Sequence, residues 1–260
     1  MANPMYGQNK LDSNLNVVSK DRKTYHFGAP PVVIDADSTV ADGVDTNIIE
    51  HQYGDGLHLS VSMIGGQTII IPAANTAGMD YSYDAADDEG IQWVMSQNTH
   101  KGNVDGDSID RFTIGSDPFY AELTFTITDV SDTDDCLFGF RKVEAFAPAV
   151  DNYNDMAAFN INAGDITTET ILANAATTTT DLTSGGGDGA GNWADAASHK
   201  VGVYVDAAGA VTYKIDGATP SGAVAFSFDN GEVVTPFFYL LHAASSTAGV
   251  ILEKLTVGRQ

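Results

Sequence analysis

The feature that most constrains this chain is a two-residue alternation of apolar and polar side chains. In HKVGVYVDAAGAVTYKIDG (His199 to Gly217), Val201, Val203, Val205, Val211, Tyr213 and Ile215 take the odd positions. Lys200, Gly202, Tyr204, Thr212, Lys214 and Asp216 take the even ones. Neighbouring side chains of a strand point to opposite faces, so the stretch predicts a hairpin with one apolar wall. FYAELTFTITDV repeats the rule: Phe119, Ala121, Leu123, Phe125 and Ile127 face one way, and Glu122, Thr124, Thr126 and Thr128 the other. An apolar wall of this kind has to be covered by another, which favours two stacked sheets.

Further apolar or alternating runs punctuate the chain: PVVIDA, TNIIEHQ, GLHLSVSM, QTIIIPAA, GIQWVMSQ, CLFGFRKVEAF, MAAFNIN, VVTPFFYLLH and GVILEKLTVG, split by Gly, Asp, Asn and Pro. AGMDYSYDAADDEG and THKGNVDGDSIDRF read as surface loops, and ANAATTTTDLTSGGGDGAGNWADAA as a flexible connection. Only DYSYDAADDE and NWADAASHK could support a turn or two of helix. No repeat of fixed period points to a propeller or solenoid. The expected fold is all-β, an antiparallel jelly roll or β-sandwich with an extended N-terminal arm. The arm covers residues 1–29 and the sandwich residues 111–260. Residues 30–110 are either a small β subdomain or extra strands of the same sandwich.

Charge separates the arm from the body. Residues 1–23 carry Lys10, Lys20, Arg22 and Lys23 against Asp12 and Asp21, a net +2, whereas the whole chain is at −23, so the rest holds −25. So acidic a body repels nucleic acid and anionic lipid. It favours solubility first, with adaptation to a salty medium as the second reading. Cys136 is the single cysteine and lies in an apolar run, which predicts a buried, inert thiol and no internal disulfide. No stretch has the apolar length of a membrane span, and the start lacks the apolar core of an export signal, so a chain made in a reducing cytoplasm is expected.

Catalytic patterns are sparse. Two carboxylates on one strand face, two or four residues apart, would suit glycoside hydrolysis. Glu122 stands alone among threonines, and the other acids crowd into loops, where water keeps them ionised. Asn103, Asp105 and Asp107 begin like a calcium loop, but Ser108 and Ile114 stand where its glycine and closing glutamate belong. Asp129, Asp132, Asp134 and Asp135 lack a diagnostic spacing. Millimolar calcium binding and plain solvated charge both remain open for these clusters, and no metal or cofactor is assigned. The six histidines are dispersed, and no nucleophile elbow or phosphate loop is present.

Two resemblances add to this reading. FYAELTFTITDV, CLFGFRKVEAF, HKVGVYVDAAGAVTYKIDG, VTPFFYLLHAAS and GVILEKLTVG together resemble the concanavalin-A-like jelly roll of legume lectins, laminin-G modules and certain glucanases. The glucanases' Glu-x-Asp-x-x-Glu strand is missing, so hydrolysis is not implied. The opening MANPMYGQNK, followed by a polar arm and an acidic β domain, is similar to structural proteins of marine tailed bacteriophages, capsid decoration (cement) proteins in particular. That resemblance implies a virion protein, assembled in the host cytoplasm, whose arm grips the outer surface of the major capsid protein lattice. Met5, Tyr6, Lys10, Lys20, Arg22 and Lys23 are its expected contacts, and a trimer or dimer its expected state. A carbohydrate-binding module used for host attachment, with or without calcium, is the alternative. Trp193 in the Gly-rich loop is its candidate sugar platform. Neither reading calls for nucleic acid or membrane.

Overall fold

Each alternating stretch folds as its pattern predicts, in two antiparallel sheets stacked as a sandwich. The computed structural model describes residues 9–11, 17–19, 22–35, 48–65, 72–82, 86–95, 111–182, 192–243 and 249–260. Strands are numbered along the chain. The smaller sheet has seven strands in the order β17 (Val211–Ile215), β16 (Ser198–Val205), β11 (Phe119–Ile127), β19 (Val250–Arg259), β8 (Met79–Asp80) and β7 (Ala73–Ala74), with β3 (Arg22–His26) also paired to β19.

The larger sheet has ten strands. Its order is β15 (Thr178–Asp181), β14 (Asp165–Ile171), β13 (Met156–Asn162), β12 (Thr133–Lys142), β18 (Val233–His242), β9 (Gly90–Met95), β6 (His58–Ile64), β5 (Ile48–Gln52) and β4 (Val32–Asp35), with β10 (Phe112–Thr113) beside β18. Among the described residues β1 (Asn9–Leu11) and β2 (Val17–Ser19) pair with each other, as a separate two-stranded sheet.

The odd positions of the hairpin and of β11 bury themselves against the larger sheet. Val201, Val203, Val205, Leu123 and Phe125 are all within the core. Aromatic rings interlock within and across the layers: Trp93 stacks on its neighbour Phe238 in the larger sheet at 5.6 Å, while Phe125 meets Phe238 edge-on and Phe112 stacks on Phe119 at 4.4 Å from one sheet to the other. Each such side chain contributes about 1.5–3 kcal/mol through burial alone, which is why this face decides the fold. Cys136 lies in the same core, and burial pushes its thiol above the ordinary range.

The end of the arm and the stretches 165–171 and 178–181 differ from their sequence reading. Arg22–His26, expected within the arm, is a strand of the smaller sheet, and Tyr25 and Phe27 belong to the core. Residues between 30 and 110 continue the same two sheets, through β4, β5, β6 and β9 in one and β7 and β8 in the other. β14 and β15 lie where no strand was expected, because DITTETI and TTTD are mostly polar and show no apolar stripe. The run QTIIIPAA falls largely outside the described residues, apart from Ala73–Ala74 in β7.

Candidate functional site

Pairing register lays out the outward side chains of the smaller sheet in rows. One row is Thr212, Tyr204, Tyr120, Gly258 and Arg22, and the next is Lys214, Gly202, Glu122, Thr256 and Thr24. A third is Lys200, Thr124, Lys254 and His26. A register shift between Thr124 and Phe125 turns Glu253 outward as well, where Thr126 Oγ1 donates to its Oε1 at 2.9 Å.

Gly202 is the key to the middle of this face. A Cβ there would stand 2.9 Å from Tyr204 Cε2 and 3.2 Å from Glu122 Cγ. Because no Cβ intervenes, Tyr204 leans over the bare backbone and its hydroxyl donates to Glu122 Oε1. Lys200 Nζ donates to the same oxygen at 3.1 Å. Tyr120 stacks on Tyr204 with ring centroids 5.4 Å apart, and Lys214 Nζ sits 4.6 Å from the Tyr204 ring. Partial burial would raise the Glu122 carboxyl, but the bonds from Tyr204 and Lys200 and the nearby Arg22 charge outweigh it and hold it below the ordinary range. Glu122 is therefore a fixed anion whose Oε2 has no hydrogen-bond partner among the described residues.

The larger sheet treats its outer face differently. Residues 143–155, joining β12 to β13, cross it as a strap and bury Val94, Leu137, Phe237 and Tyr239 in a second apolar cluster with Val150 and Tyr153. Arg141 lies beneath the strap at 0% exposure, its guanidinium 4.4 Å from the Tyr153 ring and 5.4 Å from that of Phe146. Its Nη1 donates to the Lys142 and Glu144 carbonyls, both at 3.0 Å, while Nε and Nη2 find no partner among the described residues. Gln92 ties the strap down: its Nε2 donates to the Ala147 carbonyl at 2.7 Å, and it accepts from the Tyr153 hydroxyl. Tyr239 donates to the Pro148 carbonyl at 2.9 Å. Lys142 closes the end, 3.0 Å from Asp155 and 2.7 Å from Glu232.

Beside the strap, one acid pair departs from the expectation that water solvates the acids. Asn160 Nδ2 donates to Asp135 Oδ1 at 2.5 Å and to Glu169 Oε1 at 2.7 Å. Burial, then the charges of Glu169, Asp134 and Asp151, push the Asp135 carboxyl up to about 7, against the opposing bond from Asn160. Burial raises Glu169 too. The two carboxyls come from different strands, β12 and β14, so single-strand spacing could not reveal them. Their oxygens lie within roughly 5 Å, a separation that retaining glycosidases use. Here the amide of Asn160, itself 2% exposed, fills the space a sugar would need.

The expected site residues scatter. Arg22 is exposed in the first row above, and Lys23 is exposed on the same strand. Lys10 belongs to β1, whereas Met5, Tyr6 and Lys20 lie outside the described residues, as do Asn103, Asp105 and Asp107. Trp193 is no sugar platform: it is 1% exposed, packed 4.8 Å from Phe125 and 4.7 Å from His199, with Nε1 donating to the Ala197 carbonyl. Its indole is apolar enough to finish the core despite its Gly-rich approach. Among the described residues no group of three or more His, Cys, Asp or Glu is placed to hold a metal ion, and no helix is long and apolar enough to cross a membrane.

No protein-family model matches the sequence, and no curated protein does. Solved structures are similar in overall shape. A Shewanella oneidensis MR-1 protein of unknown function shares 12% identity over 92% of this chain and 85% of its own, with a TM-score of 0.46. The carbohydrate recognition domain of Emp47p shares 10% over 99% and 96%, also at 0.46. The receptor-binding domain of botulinum neurotoxin D shares 9% over 89% of this chain at 0.45, and there the chain spans about half the length of its counterpart, 49%.

Proposed function

We propose that the chain is a non-catalytic carbohydrate-binding module that takes a glycan across the outer face of the smaller sheet. The observation that carries this reading is the Tyr120–Tyr204–Glu122 arrangement over Gly202. A sugar offers apolar C–H patches and hydroxyl donors side by side, so it needs rings next to a pre-oriented acceptor. Both protein donors converge on Glu122 Oε1, which leaves Oε2 to accept from a ligand hydroxyl. A charged acceptor makes such bonds about twice as strong as a neutral one. Hydrolysis is not part of the proposal, because the other outward carboxylates, Glu253 and Asp80, are engaged by Thr126 and Ser82 and no acid is held protonated beside Glu122. A glycan array probed with the full chain tests this: retention should fall at least about tenfold in Tyr204→Ala and in Glu122→Gln, a loss on the scale of one or two good polar contacts. Absence of retention on every glycan would overturn it.

A second reading, capsid decoration, is supported by one feature. β1 and β2 form their own small sheet outside the sandwich, in the segment where cations outnumber acids. On this reading the segment grips neighbouring copies of the major capsid protein, and several weak contacts add to firm attachment. Co-sedimentation with purified capsid shells tests it. The truncation to use ends at residue 21, since removing residues 22–27 would strip a strand, Tyr25 and Phe27 from the sandwich. Full binding by the truncated chain would overturn the reading.

A further inference from the structure

We infer that the glycan this face takes is anionic, bearing carboxylate or sulfate groups; the inference rests on the carbohydrate reading above. Acids outnumber bases 35 to 12 over the chain. The outward positions of the smaller sheet turn that balance towards bases, with Arg22, Lys200, Lys214 and Lys254 against Glu122, Glu253 and Asp80. All three carboxylates are already engaged, Glu122 by Tyr204 and Lys200, Glu253 by Thr126 and Asp80 by Ser82. Arg22 and Lys254 have no ion-pair partner among the described residues.

The placement of the cations fits a ligand that lies along the rows. Lys200 and Lys254 flank Thr124 across two strand steps, about 10 Å apart. Arg22 stands two steps from Tyr120 in the row of the tyrosines, about 10 Å away. Charges therefore border a centre of rings and threonine hydroxyls, the layout for a polymer whose anions are spaced apart by neutral hydroxyl-bearing units.

A dense polyanion fits worse. Duplex DNA carries a charge every ~1.7 Å and would press phosphates against the surrounding acids. Asp206 and Asp216 lie at either end of the β16–β17 hairpin, bordering this same face. The rest of the surface repels any polyanion, so the field also orients the ligand onto this face.

The test is titration of the full chain with alginate, dextran sulfate, neutral dextran and duplex DNA at ~50 and ~200 mM salt, since screened charge contacts weaken over that range. We expect alginate or dextran sulfate to bind at least about tenfold tighter than dextran, with the preference shrinking at the higher salt. The two anionic probes separate carboxylate from sulfate recognition. The double variant Arg22→Gln with Lys254→Gln keeps the Tyr204 and Lys200 bonds to Glu122 and should lose the preference while its melting temperature stays unchanged. Equal binding of dextran and the anionic glycans would overturn this inference and leave the carbohydrate reading standing. No binding to any polysaccharide would overturn both. DNA binding as tight as that of dextran sulfate, or a double variant that keeps the preference, would show a different site and overturn the inference alone.

Discussion

On the larger sheet the outward positions of β12, β18 and β9 include Leu137, Phe237, Tyr239 and Val94, and a strap covers them. On the smaller sheet the corresponding positions of β16, β11 and β19 are Tyr204, Tyr120, Glu122, Thr124 and Lys254, and among the described residues no apolar cluster covers them. The same alternating strand can thus serve as the inner layer of a three-layer stack or as an open recognition surface. What decides between them is the outward residue set, since the inward set is apolar in both. A single glycine on each face shows the contrast at atomic scale.

The largest effect should come from Gly139 on the covered face. A Cβ there would stand 2.2 Å from the Ala157 carbonyl oxygen and 2.5 Å from Ala158 Cα, which are backbone atoms of the paired strand. Neither can move without breaking the β12–β13 ladder, so Gly139→Ala should cost more than about 3 kcal/mol by urea unfolding. A loss below about 1 kcal/mol would mean that the two strands pack less tightly than described.

Arg141 comes next. Truncation to Ala removes its stacking on Tyr153 and Phe146 and its two carbonyl bonds, and should cost about 3 kcal/mol. Arg141→Met should recover most of this or exceed wild type, because burial already opposes the charge and no carboxylate among the described residues pairs with it. If Met proves as damaging as Ala, the guanidinium is what holds the strap.

Asp135 makes the two faces diverge with pH. Its folded value, about 7, lies above the ordinary 3.8, so the folded state holds a proton that the unfolded chain releases. That contribution is full below the unfolded value and is lost as pH rises towards 7. Asp135→Asn still accepts from Asn160 and removes the titration. The variant should therefore gain on the order of 1–2 kcal/mol over wild type at pH 8 and little at pH 4, read by denaturant titration. Glu122, held ionised, imposes the opposite sign: its contribution is present above its unfolded value and fades as pH falls below it. A wild-type stability that does not fall between pH 5 and pH 8 would remove Asp135 from this role.

How much of this was legible follows from what alternation can encode. Val201, Val203, Val205 and the odd positions of β11 announced their buried face because burial on one side of a strand writes itself at period two. Glu122 and Tyr204 were visible as polar positions, but their bond crosses two strands and depends on Gly202, so the register had to be known first. Asp135 and Glu169 escaped for the same reason. The strap was hidden because it docks by single anchors, Val150, Tyr153 and Phe146, at no regular spacing. Trp193 misled because its Gly-rich surroundings resemble an exposed loop, while its indole packs under Phe125.

Gly202 should give the smallest change in stability and the sharpest change in function. The atoms its Cβ would meet, Tyr204 Cε2 and Glu122 Cγ, are parts of flexible side chains rather than backbone. The tyrosine can swing aside, and alanine fits a strand better than glycine, so Gly202→Ala should shift stability by less than about 1 kcal/mol in either direction. The displaced ring can no longer place its hydroxyl on Glu122 or stack on Tyr120, so glycan retention should fall about as far as in Tyr204→Ala. Set against Gly139→Ala, the substitution asks the same question of the other sheet: whether the missing Cβ serves the ladder or the ligand. Unchanged binding in Gly202→Ala would show that the lean of Tyr204 over the bare backbone is incidental, and the recognition centre would then lie among the lysines and threonines of the neighbouring row.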